Sequence, residues 1–428
     1  MLSAPSAPSV PSAAPPRPAG WLLFFLLLPF ALSYGMSYFF RNVNAVAGPM
    51  LADEFALGPG GLGFLTSAYF LAFSLAQVPL GVALDRFGPA RVNTVMALTG
   101  AAGAAVFALA QDSMTLGIGR ALIGIGAGAA LMASMSAAHL WVAPERRATV
   151  TGWIMVVGGV GALTASTPAH LLIAAIGWRD VFWGLCVLAM GVAALVWNTR
   201  GAVQPAAGGQ TLAQLLAGVG EVFSSRYFWI IALPVMLTLG TMMSFQTLWA
   251  ATWMRDVAGM TDRTAICKVL AAFNLGMAVA FLTSGWLGDT LERRGIAPEH
   301  TLKAYLLISL AAQAWLMLWP AVAPHAAWGV YSFGANSMVL AYSIMPRRFS
   351  SALTGRVNTA LNLLSFGSAF VAQWCIGAVI NLWPVTDGHY AVAGYYRAWI
   401  GLFVLQVLAL ALLILATRRP GAAAAPQA

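Results

Sequence analysis

Charge is what this chain of 428 residues has little of: Asp, Glu, Lys and Arg together make up 8% of it. Soluble globular domains carry about a quarter, so a soluble enzyme or binding domain is excluded before any motif is read. Acids are the scarcer sign. All thirteen (Asp53, Glu54, Asp85, Asp112, Glu145, Asp180, Glu221, Asp256, Asp262, Asp289, Glu292, Glu299 and Asp387) fall in loops or at the ends of apolar runs. That leaves no carboxylate pair for hydrolytic chemistry, so an enzyme is not expected, and no mid-membrane acid to carry protons. Cysteine is reduced to Cys186, Cys267 and Cys375, without paired or ligand spacing; these read as small apolar residues. Met132, Met135 and His139 offer soft donors, yet in a chain with 18 methionines apolar filling is the plainer reading, and no metal is expected. Nucleotide-binding motifs are absent, so ATP is not the energy source and no cofactor is expected.

What is present is hydrocarbon. Hydrophobic residues are 60% of the chain and the mean hydropathy is +0.80. Apolar runs of about 20 residues or more recur, enough for a helix to cross a ~30 Å core. Spans are expected at 21–47, 60–84, 92–111, 114–142, 149–176 and 178–197, then near 227–253, 264–288, 301–322, 325–345, 355–381 and 396–416. Residues 21–32 resemble the core of a signal peptide, but the run continues to Ala47 without a cleavage site, so the first span is read as retained. The fold class is therefore an all-α membrane protein of twelve transmembrane helices. Its parts are a disordered tail (1–20), a six-helix bundle (21–197), a linker with an amphipathic stretch Thr211–Phe223 (198–226), a second six-helix bundle (227–416) and a disordered tail (417–428). The net charge of +9 does not indicate nucleic acid. Fifteen of the 22 basic residues lie in tails and loops on one side, five on the other and two inside spans. The basic side and both termini then face the cytoplasm of a cytoplasmic (inner) membrane. The expected partners are the lipid bilayer and a small molecule, with the chain a monomer.

The chain is built twice. Gly81-Val82-Ala83-Leu84-Asp85-Arg86-Phe87-Gly88-Pro89-Ala90-Arg91 returns in kind at Gly285-Trp286-Leu287-Gly288-Asp289-Thr290-Leu291-Glu292-Arg293-Arg294-Gly295, with Asp85 and Asp289 at 289 − 85 = 204 residues apart. Gly152, after Pro144-Glu145-Arg146-Arg147, and Gly355, after Pro346-Arg347-Arg348, keep nearly the same offset, 355 − 152 = 203. Two landmarks with one register mark an internal duplication.

These motifs resemble those of the major facilitator superfamily. Gly81-x-x-x-Asp85-Arg86-x-Gly88-x-x-Arg91 resembles the signature after the family's second helix, and Gly285–Gly295 its echo after the eighth. Gly119-Arg120-Ala121-Leu122-x-Gly124-x-Gly126 resembles the fourth-helix motif, whose arginine lies inside the membrane. The resemblance runs from Trp21 to Ala416 and implies two pseudo-symmetric bundles around a central cavity, working by rocker-switch alternating access. It also implies a conformational gate formed by Gly81, Asp85, Arg86, Gly88 and Arg91 with Gly285, Asp289, Arg293 and Arg294. Their charges would hold the halves together in the outward-facing state and part in the inward-facing one. The fifth-helix motif of proton-coupled drug antiporters is incomplete: Gly152 and Gly161 fit, but Ala165-Ser166 stand where Gly-Pro belongs.

The charges well inside spans are Arg41 and Arg120, both positive. A buried guanidinium needs a counter-charge, the spans hold none, and a bound anion would supply it. Tyr34, Tyr38 and Arg41 recur at i, i+4 and i+7 and share a helical face; a planar fork donor flanked by phenols suits a carboxylate or phosphate. Arg41-Asn42-Val43-Asn44-Ala45-Val46-Ala47-Gly48-Pro49 resembles the first helix of the organophosphate/phosphate antiporters and their anion-transporting relatives, in which this arginine contacts the anion. The second arginine of those antiporters falls at Met243, which points to a monoanion or carboxylate. The competing reading has Arg41 bonding helix carbonyls or snorkelling, and Arg120 divides evenly between holding helix carbonyls and meeting substrate.

From the other half, Gln246, Trp249 and Trp253 on the seventh span and Asn358 and Asn362 on the eleventh are candidate substrate contacts. Interhelical glue or an aromatic belt are the alternatives for them. His170 is the candidate proton site. The expected function is secondary transport of a small organic anion of carboxylate type, and the alternative is proton-coupled export of hydrophobic or cationic compounds. A transporter-like sensor is a third reading, against which stands the want of a soluble output domain.

Overall fold

The computed structural model describes residues 20–202, 212–350, 353–386 and 388–418. The two tails expected to be disordered lie outside these residues up to 19 and from 419, as does the start of the amphipathic stretch, which continues as the helix Leu212–Ser224. Among the described residues ten helices are long and apolar enough to cross a membrane. They are Leu23–Glu54, Pro59–Phe87, Pro89–Ala108, Ser113–Trp141, Trp178–Asn198, Arg226–Asp256, Arg263–Arg293, Pro298–Leu318, Gly355–Ile380 and Val392–Thr417. The fifth span is a bent pair, Val150–Thr164 and Thr167–Ile176, at 44°. The tenth is the pair Pro324–Ala335 and Met338–Ile344. This chain is an all-α membrane protein of twelve spans in two six-helix halves.

Local chemistry sets the boundaries. Proline opens the helices that begin at Pro59, Pro89, Pro144, Pro298 and Pro324, where its missing N–H costs nothing. Gly88 turns the chain between the second and third spans at φ 80, a conformation that strains any residue with a Cβ. Within each half the helices approach to backbone contact. A Cβ on Gly161 of the fifth span would stand 1.9 Å from Gly35 O of the first, and one on Gly240 of the seventh 2.4 Å from Ser368 Oγ of the eleventh.

Spans one and seven are broken at equivalent points. The first runs Gly20–Asn42, interrupts at Val43 and resumes as Asn44–Glu54. The seventh runs Arg226–Ser244, passes through a π-helical turn Phe245–Trp249 and resumes as Ala250–Asp256. The breaks are 245 − 43 = 202 residues apart, within two residues of the sequence repeat.

Two seams join the halves. At one, the second span packs on the eleventh: Ser74 Oγ donates to Leu363 O at 2.8 Å, and the rings of Phe73 and Phe366 have centroids 3.9 Å apart. Further along it Gly377 comes so near Pro59 that a Cβ would lie 2.5 Å from its carbonyl oxygen. At the other, Asn274 Nδ2 of the eighth span donates to Ala162 O of the fifth at 3.0 Å. The first seam runs from mid-membrane to the end away from the Asp85 and Asp289 loops, the far end. At the opposite, basic end Asp85, Arg86, Arg91, Asp289, Arg293 and Arg294 are exposed. None of these six forms an ion pair with the other half among the described residues.

Candidate functional site

The break at Val43 leaves Phe40 O without a backbone donor, and the polar residues nearby each find another partner. Asn42 Nδ2 donates to Tyr38 O at 2.8 Å. Arg120 Nη1 reaches across from the fourth span to Phe40 O at 3.0 Å, its guanidinium 5.3 Å from the Tyr69 ring. Asn44 Nδ2 donates to Thr66 Oγ1 at 2.7 Å. Arg120 thus fastens the first span to the fourth.

Arg41 is left over. It is 3% exposed, and its Nε has no hydrogen-bond partner. No carboxylate pairs with it among the described residues. Aromatic rings surround it instead: the guanidinium carbon lies 4.5 Å from the centroid of Tyr38, 5.0 Å from Phe366 and 5.7 Å from Phe73. Phe366 belongs to the other half. Ring faces attract a cation by about 2 kcal/mol when both are desolvated, less than the several kcal/mol that an uncompensated buried charge costs. The site holds a charge it does not fully satisfy.

Tyr34 and Tyr38 pack edge to face at 5.1 Å, Tyr34 Oη directed at Met155 Sδ, 3.7 Å away. Gly158 makes room for this pair, since a Cβ there would stand 2.6 Å from Tyr34. From the C-terminal half Tyr342 hydrogen-bonds Asn362 Oδ1 and lies within electrostatic reach of Tyr38 and Arg41. The structure therefore brings Tyr34, Tyr38, Arg41 and Asn362 to one region. Asn358 sits one turn toward the basic end, half-buried, with its Oδ1 unpartnered.

The remaining candidates lie elsewhere. Gln246, in the π turn, donates to Asn274 Oδ1 at 2.7 Å and so ties the seventh span to the eighth, whose Asn274 holds the fifth. Trp249 donates from Nε1 to Gln373 O at 3.1 Å, and its ring lies 3.1 Å from where Cβ atoms on Gly63 and Gly377 would stand; it belongs to the far-end seam. Trp253 is fully buried inside the C-terminal half, 4.4 Å from the Trp399 ring. His170 is half-buried on the helix Thr167–Ile176, with Asp262 and Arg263 as its charged neighbours. Tyr69, Phe73, Tyr342 and Phe366 were not among the sequence candidates. No repeat or motif marks them, and only the break near Arg41 shows which rings face it.

Residues 30–373 match the family model described as Major Facilitator Superfamily. Among curated proteins, the chain is 26% identical to the probable sulfoacetate transporter SauU of Cupriavidus necator over 39% of this chain and 38% of that protein. It is 23% identical to the membrane sensor protein UhpC of Salmonella typhimurium over 90% of this chain and 91% of that one. The chain thus spans well under two thirds of the first of these relatives and most of the second. Among solved structures, a bacterial homolog of the human lysosomal transporter Spinster, inward-facing and unoccupied, superposes with a TM-score of 0.72 at 18% identity, covering 94% of this chain and 98% of that one; this likeness bears on the fold alone.

Proposed function

We propose that this chain, which belongs to the Major Facilitator Superfamily, carries a small organic anion of carboxylate type across the cytoplasmic membrane, with Arg41 as the anchor for the anion. One observation carries the reading: at the broken first span Arg120 and Asn42 each donate to a carbonyl and Asn44 to a hydroxyl, whereas the Arg41 guanidinium is buried with neither a carbonyl nor a carboxylate as partner among the described residues. The name of the sulfoacetate relative agrees with an anionic cargo.

The rings of Tyr38, Phe73 and Phe366 shield the guanidinium. An entering carboxylate forms the fork-to-fork hydrogen bonds that these rings cannot, and such charge-assisted bonds are about twice as strong as neutral ones. The hydroxyls of Tyr34, Tyr38 and Tyr342 and the amides of Asn358 and Asn362 supply the remaining donors. Because Phe366 sits on the opposite half, its displacement links binding to motion of one half against the other. The basic end is assigned to the cytoplasm. The exposed gate charges there then correspond to an inward-facing arrangement, and they re-form contacts when that end closes. His170 is assigned to proton coupling only if transport proves pH-dependent.

The test is thermal stabilisation of the purified protein across a panel of carboxylates, sulfonates, phosphates and cationic drugs, repeated on Arg41→Gln. Stabilisation by carboxylates that vanishes in Arg41→Gln supports the reading. Stabilisation by cations alone, indifferent to the change, would move it to export of cationic compounds. The near-full-length match to a protein named a sensor favours a second reading, in which the anion is bound and not carried. Uptake of the stabilising carboxylate into proteoliposomes separates the two.

A further inference from the structure

Beside the first seam, which it meets at Leu363, the seventh, eleventh and twelfth spans of the C-terminal half leave an open groove of about 560 Å³. It extends from Arg397 and Val379 near the far end to Thr241 and Leu363 at mid-membrane, about the depth of one leaflet. Small residues hollow it out. Gly401 lines it, and a Cβ there would meet nothing within 4 Å. The hydroxyls that reach it are already engaged: Thr241 donates to Leu237 O at 2.8 Å and Ser368 to Met236 O at 2.6 Å. The wall thus offers its occupant hydrocarbon and no free donor.

The one charged residue of the lining is Arg397. It is exposed, its guanidinium carbon lies 4.9 Å from the Trp383 ring, and it pairs with no carboxylate among the described residues. Tryptophan and arginine together are the pairing found at headgroup level, where the ring sits in the interface and the cation meets phosphate. An unpaired cation at the mouth of a hydrocarbon trough one leaflet deep is complementary to an amphiphile with an anionic head.

We propose that this groove is a binding site for one anionic phospholipid of the far leaflet, its phosphate on Arg397 and one acyl chain laid between the eleventh and twelfth spans as far as Leu363. The site shares no residue with the Arg41 region, and it stands or falls independently of the transport reading.

The experiment is native mass spectrometry of the full chain extracted from bilayers of equal phosphatidylglycerol and phosphatidylethanolamine. Wild-type protein is expected to retain one lipid, with phosphatidylglycerol enriched about fivefold, the factor that ~1 kcal/mol per basic residue near a membrane surface gives. Arg397→Gln keeps a lipid and loses the enrichment. Gly401→Leu fills the trough and loses the retained lipid altogether. In parallel, Cys375, which lines the groove and is exposed, reacts with a lipid-phase maleimide faster in lipid-stripped protein than in protein with its lipid. Retention of neither lipid, equal retention of both by wild type, or a dimer that buries Cys375 in place of lipid overturns the proposal. Should Gly401→Leu not fold, the surface change Arg397→Gln and the Cys375 rates decide it.

Discussion

The first and seventh spans are broken at equivalent points, and the two halves deal with the break in different ways. In the C-terminal half, neutral side chains meet it, on their own turn and across to the eighth and eleventh spans. Ser244 Oγ donates to Gly240 O and Ala369 O, Thr247 Oγ1 to Met243 O and Gln373 Oε1, and Gln246 ties Asn274. Three neutral side chains meet the break and no charge enters. In the N-terminal half, Arg120 serves the freed Phe40 carbonyl while Asn42 folds back onto Tyr38 O, and Arg41 remains beside the break among aromatic side chains. A duplicated backbone therefore carries an unduplicated charge. The fold needs one arginine for a carbonyl, and the second is free for another use.

The largest effect that sharpens this contrast is at Arg41. Replacing Arg41 with Gln removes an unpaired buried charge, so the melting temperature of the empty protein is expected to hold or rise. Affinity for the stabilising carboxylate should fall at least ~30-fold, the lower bound for truncating one partner of a buried, hydrogen-bonded charge pair. Arg120→Met should do the reverse. It leaves Phe40 O without its donor, which costs about 1–3 kcal/mol of stability with or without anion. Paired thermal-shift curves, empty and loaded, read both signs. If the two arginine variants behave alike, the division of labour between them is lost.

A smaller effect is expected at Phe366, the ring that reaches Arg41 from the other half. Phe366→Leu keeps the packing volume nearly constant and removes a cation–π contact of up to about 2 kcal/mol. Since ring and anion compete for one guanidinium, carboxylate affinity by calorimetry should rise a few-fold. A fall would mean that the ring orients Arg41 for the anion instead of occupying its place.

Much of this was legible beforehand. The 204-residue register, the twelve spans and the two interior arginines follow from spacing, hydropathy and a count of charges. The breaks in the first and seventh spans were not legible, because Asn42-Val43-Asn44 and Phe245-Gln246-Thr247-Leu248-Trp249 contain no helix-breaking residue. A π turn is set by tertiary partners rather than by propensity. The bend at Ala165–Thr167 fell inside a run read as one span. Periodicity placed Trp249 and Trp253 on one face, and both do approach Tyr395 of the twelfth span. That face packs into the C-terminal half and its seam, and not onto Arg41. A helix apolar all round names its faces but not their neighbours, which is also why Phe366 and Tyr342 passed for ordinary membrane aromatics.

The smallest effect lies at the far end, where the starts of the fourth and tenth spans repeat the asymmetry of the halves. Asp112 caps the fourth: its carboxylate accepts from Thr115 N at 2.8 Å and from Thr115 Oγ1 at 2.9 Å. These bonds hold its pKa below the ordinary Asp value. A lowered carboxylate contributes stability above its unfolded pKa and loses it as pH falls through the folded one. The difference in melting temperature between wild type and Asp112→Ala should thus shrink on acidification. The tenth span has no such cap. It begins after Ala323, which sits at φ 46 with no side-chain hydrogen bond. A left-handed backbone costs an L-residue roughly 1–2 kcal/mol, and glycine avoids that at an added unfolded-state entropy of about 0.5–1 kcal/mol. Ala323→Gly should therefore raise the melting temperature slightly and independently of pH. If both changes shift stability in the same direction, the two helix starts are equivalent in energy as well as in position, and the asymmetry belongs to the Arg41 break alone.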